Sequence, residues 1–134
     1  MIESVEQAEA VLKDPDKHEE VRVHAAQFLA ESGTEEAAEF LVMALDDDDY
    51  GVHWAASEGL AAMGDSALPA LLRGLVQADC SPRVLHGAKH AFHTNASPVV
   101  REETKGIVAA MHGSSQSISI MQAANELMIK LSIN

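Results

Sequence analysis

A thirteen-residue pattern that occurs twice constrains the fold of this chain more than any other feature. VRVHAAQFLAESG (residues 21–33) aligns without a gap with VHWAASEGLAAMG (residues 52–64). The matching positions are Val21 and Val52, Ala25 and Ala56, Leu29 and Leu60, and Gly33 and Gly64. Self-similarity at a period of about 20–50 residues predicts an array of stacked repeats rather than one irregular domain.

Two more copies follow, and a second pattern lies between the copies. The matching residues are Val84, Ala88 and Phe92 in a third copy, and Ile120, Ala123, Ala124 and Met128 in a degenerate fourth copy, ISIMQAANELMIKL. The intervening segments TEEAAEFLVMAL and DSALPALLRGLV also repeat, at the same offset as the first two copies. Their aligned pairs are Phe40 with Leu71 and Leu41 with Leu72. The chain thus alternates between two kinds of segment, which we call A (the first pattern) and B (the second).

Small polar residues and glycines stand where these segments begin and end. Gly33 and Gly64 are well placed to end an A helix, because glycine readily adopts the left-handed conformation found there. Thr34 and Asp65 follow directly and are predicted to be N-caps of the next helix, as is Ser97 later in the chain. Every segment is therefore predicted to be a short helix.

The predicted fold is all-α, a right-handed α-α superhelix of about eight short helices. Isolated helices below about 12–15 residues are marginal in water, so the pairs must stack and bury one continuous apolar stripe. Low aromatic content, 4%, also favours close helix packing through small side chains. We predict a single domain over residues 1–134. It comprises a cap helix at 4–14, repeats at about 19–45, 49–77 and 82–112, and a C-terminal cap helix at 116–131.

Composition restricts the compartment. The N-terminus MIESVEQAEAVLKDPDK has no basic segment followed by an apolar block, so no signal peptide is expected. No apolar run approaches the roughly 20 residues that span a bilayer. One cysteine, Cys80, rules out an intramolecular disulfide framework and fits a reducing compartment. A cytoplasmic protein without a membrane partner is expected.

The net charge of −12 is distributed unevenly. Residues 1–65 carry 17 acids against 3 bases, whereas residues 66–134 carry 4 acids against 6 bases. An acidic half argues against binding to a nucleic-acid backbone, which needs a basic surface. It favours a protein partner with a basic surface, with simple solubility as the alternative. The asymmetry also permits weak head-to-tail self-association of an otherwise monomeric protein.

The acidic run Asp46–Asp49 could be a metal site or a turn between repeats. A calcium loop needs carboxylates at alternating ligand positions, and four consecutive Asp side chains cannot all point at one ion. We therefore predict a turn in which Asp49 caps the next helix. Asp47 and Asp48 are predicted to attract a basic partner, and their neutralisation is expected to leave stability almost unchanged.

Three histidines, His86, His90 and His93, are predicted to lie within about 60° on one helix face. That face is opposite the buried residues of the same segment, so the imidazoles are expected to face solvent. Three histidines can bind zinc, but one straight helix gives poor tetrahedral geometry. A solvated polar face is favoured, and we predict no metal site and no cofactor.

Two other side chains could carry chemistry. Cys80 lies near Arg83, and a nearby cation can lower the pKa of a thiol. No obvious base accompanies this thiol, so we predict no catalytic role. Trp54 is predicted to be a packing residue rather than a platform for a ligand.

The units resemble HEAT repeats, specifically the short variety named for the phycobilisome-lyase family. The match is carried by DDDYGVHWAASEGLAAMGDSALPALLRGL (residues 47–75) and EEVRVHAAQFLAESGTEEAAEFLVMAL (residues 19–45), and it extends over about residues 19–112. The resemblance implies that Arg22 ties neighbouring repeats through a preceding Asp. Since His53 and Leu85 replace this Arg in later copies, their junctions are expected to lack the tie.

HEAT-like repeats imply a protein-interaction scaffold, with the B helices lining the concave side. Partner-facing positions predicted on these helices are Glu39, Met43, Arg73, Gln77, Glu102 and Lys105. We expect no catalytic activity. The alternatives are an accessory subunit of a bilin lyase or similar modification enzyme, and a metal-dependent enzyme on the histidine face. KHEEVR resembles the His-Glu motifs of an iron-dependent HEAT-repeat hydroxylase, but only one such pair, His18–Glu19, occurs.

Overall fold

The computed structural model describes residues 2–77, 80–113 and 117–134. This part of the chain contains nine α-helices, one short 3-10 turn and no strand, which confirms the all-α prediction. The helices are α1 (Val5–Lys13), α2 (Glu19–Ser32), α3 (Glu35–Ala44), α4 (Tyr50–Ala62), α5 (Leu68–Leu75), α6 (Pro82–His93), α7 (Pro98–Glu103), α8 (Lys105–Gly113) and α9 (Ser117–Lys130). None of these helices, as far as the structure describes them, is long and apolar enough to cross a membrane.

The helices form the two layers of a solenoid. The A helices α2, α4 and α6 pack side by side, and the B helices α1 and α3 pack against this layer. Within the B layer, α3 packs against both α1 and α5. Ala25, Ala56 and Ala88 are buried at the same register of successive A helices, which confirms the repeat alignment. A Cβ built at Gly59 would lie 3.0 Å from the Cβ of Ala30, so α2 and α4 approach each other closely.

Most predicted helix ends are confirmed. Gly33 ends α2 with φ of 71°, and Thr34 Oγ1 accepts from the backbone N–H of Ala37 at 3.1 Å. Ser97 caps α7 in the same way. The prediction for Asp65 is wrong. The chain passes from α4 directly into the 3-10 turn Gly64–Ala67, so Asp65 lies inside a turn and caps no helix.

The C-terminal third departs from simple alternation. The segment expected to form one B helix divides at Thr104, whose buried hydroxyl donates to the Val100 carbonyl at 2.7 Å. This break turns the chain, so α8 packs against α6, and α9 packs against α5 and α8. The degenerate fourth copy of the A pattern, in α9, therefore lies beside a B helix.

Candidate functional site

A shallow groove crosses the B layer between α3 and α5, and we call it the B-face groove. It encloses about 260 Å³ and is lined by Glu39, Val42, Met43, Arg73, Gly74 and Gln77. Four of the predicted partner-facing residues thus lie together: Glu39, Met43, Arg73 and Gln77. A Cβ at Gly74 would meet Val42 Cγ1 at 2.8 Å, so the two helices are in close contact beneath the groove.

The rim of the B-face groove is held by an ion pair. Arg73 Nη2 donates to Glu39 Oε1 at 3.1 Å, and Arg73 Nη1 donates to the Asn134 carbonyl at 3.2 Å. Two contacts on one guanidinium restrain its orientation. Met43 stands beside this pair with 60% of its surface exposed. The groove therefore combines an apolar centre with a charge-balanced edge.

The other two predicted B-layer positions lie elsewhere. Glu102 is on α7 and Lys105 is on α8, and their side chains pair with each other at 2.7 Å. Both are largely exposed, and neither lines the B-face groove. Because α7 and α8 are separate helices, the expected continuous B helix is broken between Glu102 and Lys105.

Arg22 forms the tie between the first two repeats. Its Nε and Nη2 donate to the Leu12 carbonyl at 3.2 and 2.6 Å, and its Nη1 donates to Asp47 Oδ1 at 3.1 Å. Nη2 also contacts Asp47 Oδ2. The hydrogen bond to Asp47 raises the pKa of Arg22. The expected tie to a preceding Asp is therefore wrong, because Asp47 comes after Arg22 in the chain, in the acidic turn between α3 and α4.

The acidic run Asp46–Asp49 connects α3 to α4 and contacts the start of α6 in the following repeat. Asp49 caps α4 by accepting from Gly51 N at 3.1 Å, as predicted. Asp46 accepts from Ser81 Oγ at 2.6 Å, and Arg83 lies 3.2 Å from Asp48 Oδ1. Asp48 is exposed and can meet a partner. Asp47 is held by Arg22, so its neutralisation is expected to reduce stability, contrary to the expectation from the sequence.

The family model for HEAT repeats matches residues 5–93. The chain belongs to the HEAT-repeat family. No curated protein and no solved structure shows a significant match to it. HEAT repeats are typical of scaffolds for protein interactions, and helices α1–α6 lie wholly within the part of this chain that the family model covers.

The second HEAT repeat keeps one half of the Arg22 tie. His53, which replaces the Arg, is buried, and its Nδ1 lies 2.7 Å from the Leu45 carbonyl. A carbonyl only accepts, so Nδ1 carries the proton. Arg22 and His53 thus each bond a backbone carbonyl at the C-terminal end of the preceding B helix. Leu85 at the same register has no side-chain donor and cannot form this bond.

The three histidines of α6 do not act as one unit. His86 and His93 are not buried, as predicted. His90 is not simply solvated. Its ring centroid lies 4.6 Å from that of Trp54, and its Nε2 lies 3.0 Å from Glu58 Oε1. Trp54 is thereby packed between repeats, as predicted. Among the residues described, no group of three or more His, Cys, Asp or Glu side chains is arranged to hold a metal ion.

Burial and a neighbouring carboxylate, rather than a cation, set the direction in which the pKa of the Cys80 thiol is shifted. Its half-buried position raises the pKa of the thiol, and the charge of Asp46 raises it further. The expected influence of Arg83 is outweighed, because Arg83 lies 3.6 Å from Asp46 Oδ1 and is engaged there. A raised pKa leaves less thiolate at neutral pH, and the thiolate is the nucleophilic form.

His18 and Glu19, the predicted His-Glu pair, contact the N-terminal ends of α2 and α4. His18 caps α2, with Nδ1 accepting from Glu20 N at 3.3 Å. Glu19 reaches the start of α4, where its Oε1 would lie 2.1 Å from a Cβ built on Gly51. A hydrogen bond with Asp49, together with the charge of Asp49, raises the pKa of Glu19. The Glu19–Asp49 pair was not predicted. The sequence feature that indicates it is Gly51 in the first turn of α4, because a side chain there would collide with Glu19.

Proposed function

We propose that this HEAT-repeat protein is a non-catalytic interaction module that binds another protein along the B-face groove. The observation that carries the proposal is Met43, an apolar side chain that is 60% exposed beside the fixed Glu39–Arg73 pair. An exposed apolar centre with a polar rim is the anatomy of a protein-binding surface. A restrained Arg loses little side-chain entropy when a partner covers it.

The side chains that offered catalytic alternatives support a structural interpretation instead. His90 is engaged by Trp54 and Glu58, and His18 caps a helix. The raised pKa of Cys80 disfavours a nucleophilic thiolate. Two of these groups have roles in the fold and the third disfavours the thiolate, and that favours a binding function.

We further propose that the partner presents a basic surface. Residues 1–65 carry 17 acids against 3 bases. Two of those bases are already paired, Lys13 with Glu9 and Arg22 with Asp47. The acidic surface around α1–α3 is thus largely uncompensated, and complementary charge on the partner would accelerate association.

Within the HEAT family, the units resemble the phycobilisome-lyase variety in their sequence. An accessory role beside a bilin lyase or a similar modification enzyme is a specific form of the same proposal. In that form, the protein received by the B-face groove is the catalytic subunit.

Affinity capture with quantitative mass spectrometry tests the proposal. The bait is the wild-type chain, the Met43→Glu variant, or the Val99→Glu variant. Val99 is exposed on α7, away from the groove, so it receives the same charge change as a matched control. We expect at least one protein to be retained by the wild type and by Val99→Glu but lost with Met43→Glu. Identical capture by all three baits would refute a role for the B-face groove.

A further inference from the structure

A second groove lies at the N-terminal end of the solenoid, on the outer face of α1 and α2. We call it the end groove. It encloses about 820 Å³, and its apolar lining includes Ile2, Val11, Val21 and Phe28. Val21 is 42% exposed, although it occupies a repeat position that is apolar in the first three copies. The end groove therefore presents apolar surface that no other helix in the described part of the chain covers.

In the second repeat, the equivalent face of the A helix is covered by a neighbouring helix. Val52, the counterpart of Val21, is 0% exposed because α2 packs over α4. In the same alignment, Gly59 is the counterpart of Phe28. A Cβ at Gly59 would lie 3.0 Å from Ala30 and 3.4 Å from Leu41, so this position of an A helix must be small where a neighbour stacks.

Phe28 places a large ring where stacking requires the smallest residue. Another A helix cannot approach α2 as closely as α2 approaches α4. A second copy of this chain, docked head to tail as one more repeat, is therefore disfavoured as the occupant. The end groove needs an occupant that accommodates the Phe28 ring rather than one that copies the repeat.

The shape of the end groove suits a helix. The helices α1 and α2 are consecutive and joined by the short connection 14–18, so they run side by side as an antiparallel pair. Val21 and Phe28 are seven residues apart on one face of α2, and Val11 faces them from α1. A groove between two packed helices accepts the apolar stripe of a third, with anchors at helical spacing.

Charge identifies the kind of helix. Residues 2–33 carry eight acids against three bases. Of those bases, Arg22 is buried against Asp47 and Lys13 is paired with Glu9. On the lining of the groove itself, Asp14 and Glu31 outnumber the third base, Lys17. We propose that the end groove docks a basic amphipathic helix of a partner protein, at a surface separate from the B-face groove.

Two model peptides test the proposal. One is an amphipathic helix of leucine and lysine, and the other has the same leucine pattern with glutamate in place of lysine. Amide chemical shifts of the full-length chain should change at Val11, Val21 and Phe28 with the lysine peptide, and much less with the glutamate peptide. Binding is then measured by titration calorimetry for three variants: Val21→Glu, Val21→Leu and Val99→Glu.

Val21→Glu separates docking from mere charge attraction. It adds an acid, so non-specific attraction of the lysine peptide would tighten, whereas docking in the end groove would weaken by about tenfold or more because a charge enters the apolar contact. Val21→Leu should bind like the wild type. Val99→Glu adds the same charge outside both grooves and should not weaken binding.

Three outcomes would overturn the proposal. Equal or tighter binding by Val21→Glu would mean that only charge attracts the peptide. Equal binding of the glutamate peptide would refute the basic partner. Shifts centred on Met43 would move the peptide to the B-face groove. None of these results bears on whether Met43→Glu loses its cellular partner, so the two proposals fail independently.

Discussion

Replacement of Arg22 by Ala is the strongest perturbation that the repeat junction offers. The side chain makes donor contacts to the Leu12 carbonyl and to both oxygens of Asp47. Arg22 and Asp47 keep only 7% and 18% of their side-chain surface exposed. Alanine would leave the carbonyl without its donor, the carboxylate without its cation, and a space where the aliphatic stem packed.

The expected loss follows from the first two of these terms. An unsatisfied buried acceptor costs about 1–3 kcal/mol. Breaking a buried ion pair costs about 3–5 kcal/mol, but Asp47 is partly exposed and can be rehydrated, so the lower end applies. With the lower end of both ranges, we expect unfolding free energy to fall by about 4 kcal/mol and the melting temperature by about 12–15 °C for a chain of this size. Urea and thermal unfolding, followed by far-ultraviolet circular dichroism, measure both.

A matched series tests the reasoning behind that magnitude. Arg22→His copies the residue of the second repeat, which keeps a donor for the preceding carbonyl and gives up the carboxylate. It should lose about half as much as Arg22→Ala. In a double-mutant cycle, Asp47→Asn should cost much less in the Arg22→Ala background than in the wild type. A loss below about 1 kcal/mol for Arg22→Ala, or additive effects in the cycle, would refute the tie as a source of stability.

Three further changes have definite expected outcomes. Ala56→Leu places a large side chain at a fully buried position between A helices and should destabilise by about 1–3 kcal/mol in urea unfolding. Glu19→Gln should raise the melting temperature at pH 7, since Asp49 raises the pKa of Glu19 above 4.5 and the folded state disfavours the ionised form. The stability linked to protonated Glu19 is present below pH 4.5 and is lost as pH rises, so the advantage of Gln should disappear in acid. His90→Ala should shift the fluorescence of Trp54 to the red and cost about 1 kcal/mol, because it uncovers the indole.

The layer of A helices could be predicted from the sequence because burial there repeats at a fixed offset. Ala25, Ala56 and Ala88 are small for one physical reason, the close approach of neighbouring helices, and that reason recurs in every repeat. The caps at Thr34 and Ser97 are equally local, since a side chain and an N–H three residues later decide them.

The remaining features depend on contacts between repeats, which local pattern does not contain. Whether Arg22 reaches a preceding or a following Asp depends on how the acidic turn folds back over α2. The engagement of His90 requires Trp54 and Glu58, which belong to the preceding A helix. Thr104 divides a helix that looks continuous in its apolar pattern, because the hydroxyl bonds the Val100 carbonyl and the next helix packs in a new direction.

The ties between repeats decline along the chain, and this gradient bears on how the solenoid opens. At one register of the A helices stand Arg22, with contacts to a carbonyl and a carboxylate, then His53, with a carbonyl alone, then Leu85, with neither. The Arg83 contacts at the last of these junctions are exposed and therefore contribute little.

In a repeat array, stability is the sum of each repeat and its interfaces, so the weakest interface opens first. Opening should therefore begin at the C-terminal repeats, and amide protons of α2 and α4 should exchange more slowly than those of α6 and α8. Hydrogen exchange under native conditions measures this order helix by helix. Arg22→Ala should reduce the difference by accelerating exchange in α2, while Arg83→Ala, at an exposed pair, should leave it unchanged. Slower exchange in α6 than in α2 of the wild type would show that these ties do not set the order of opening.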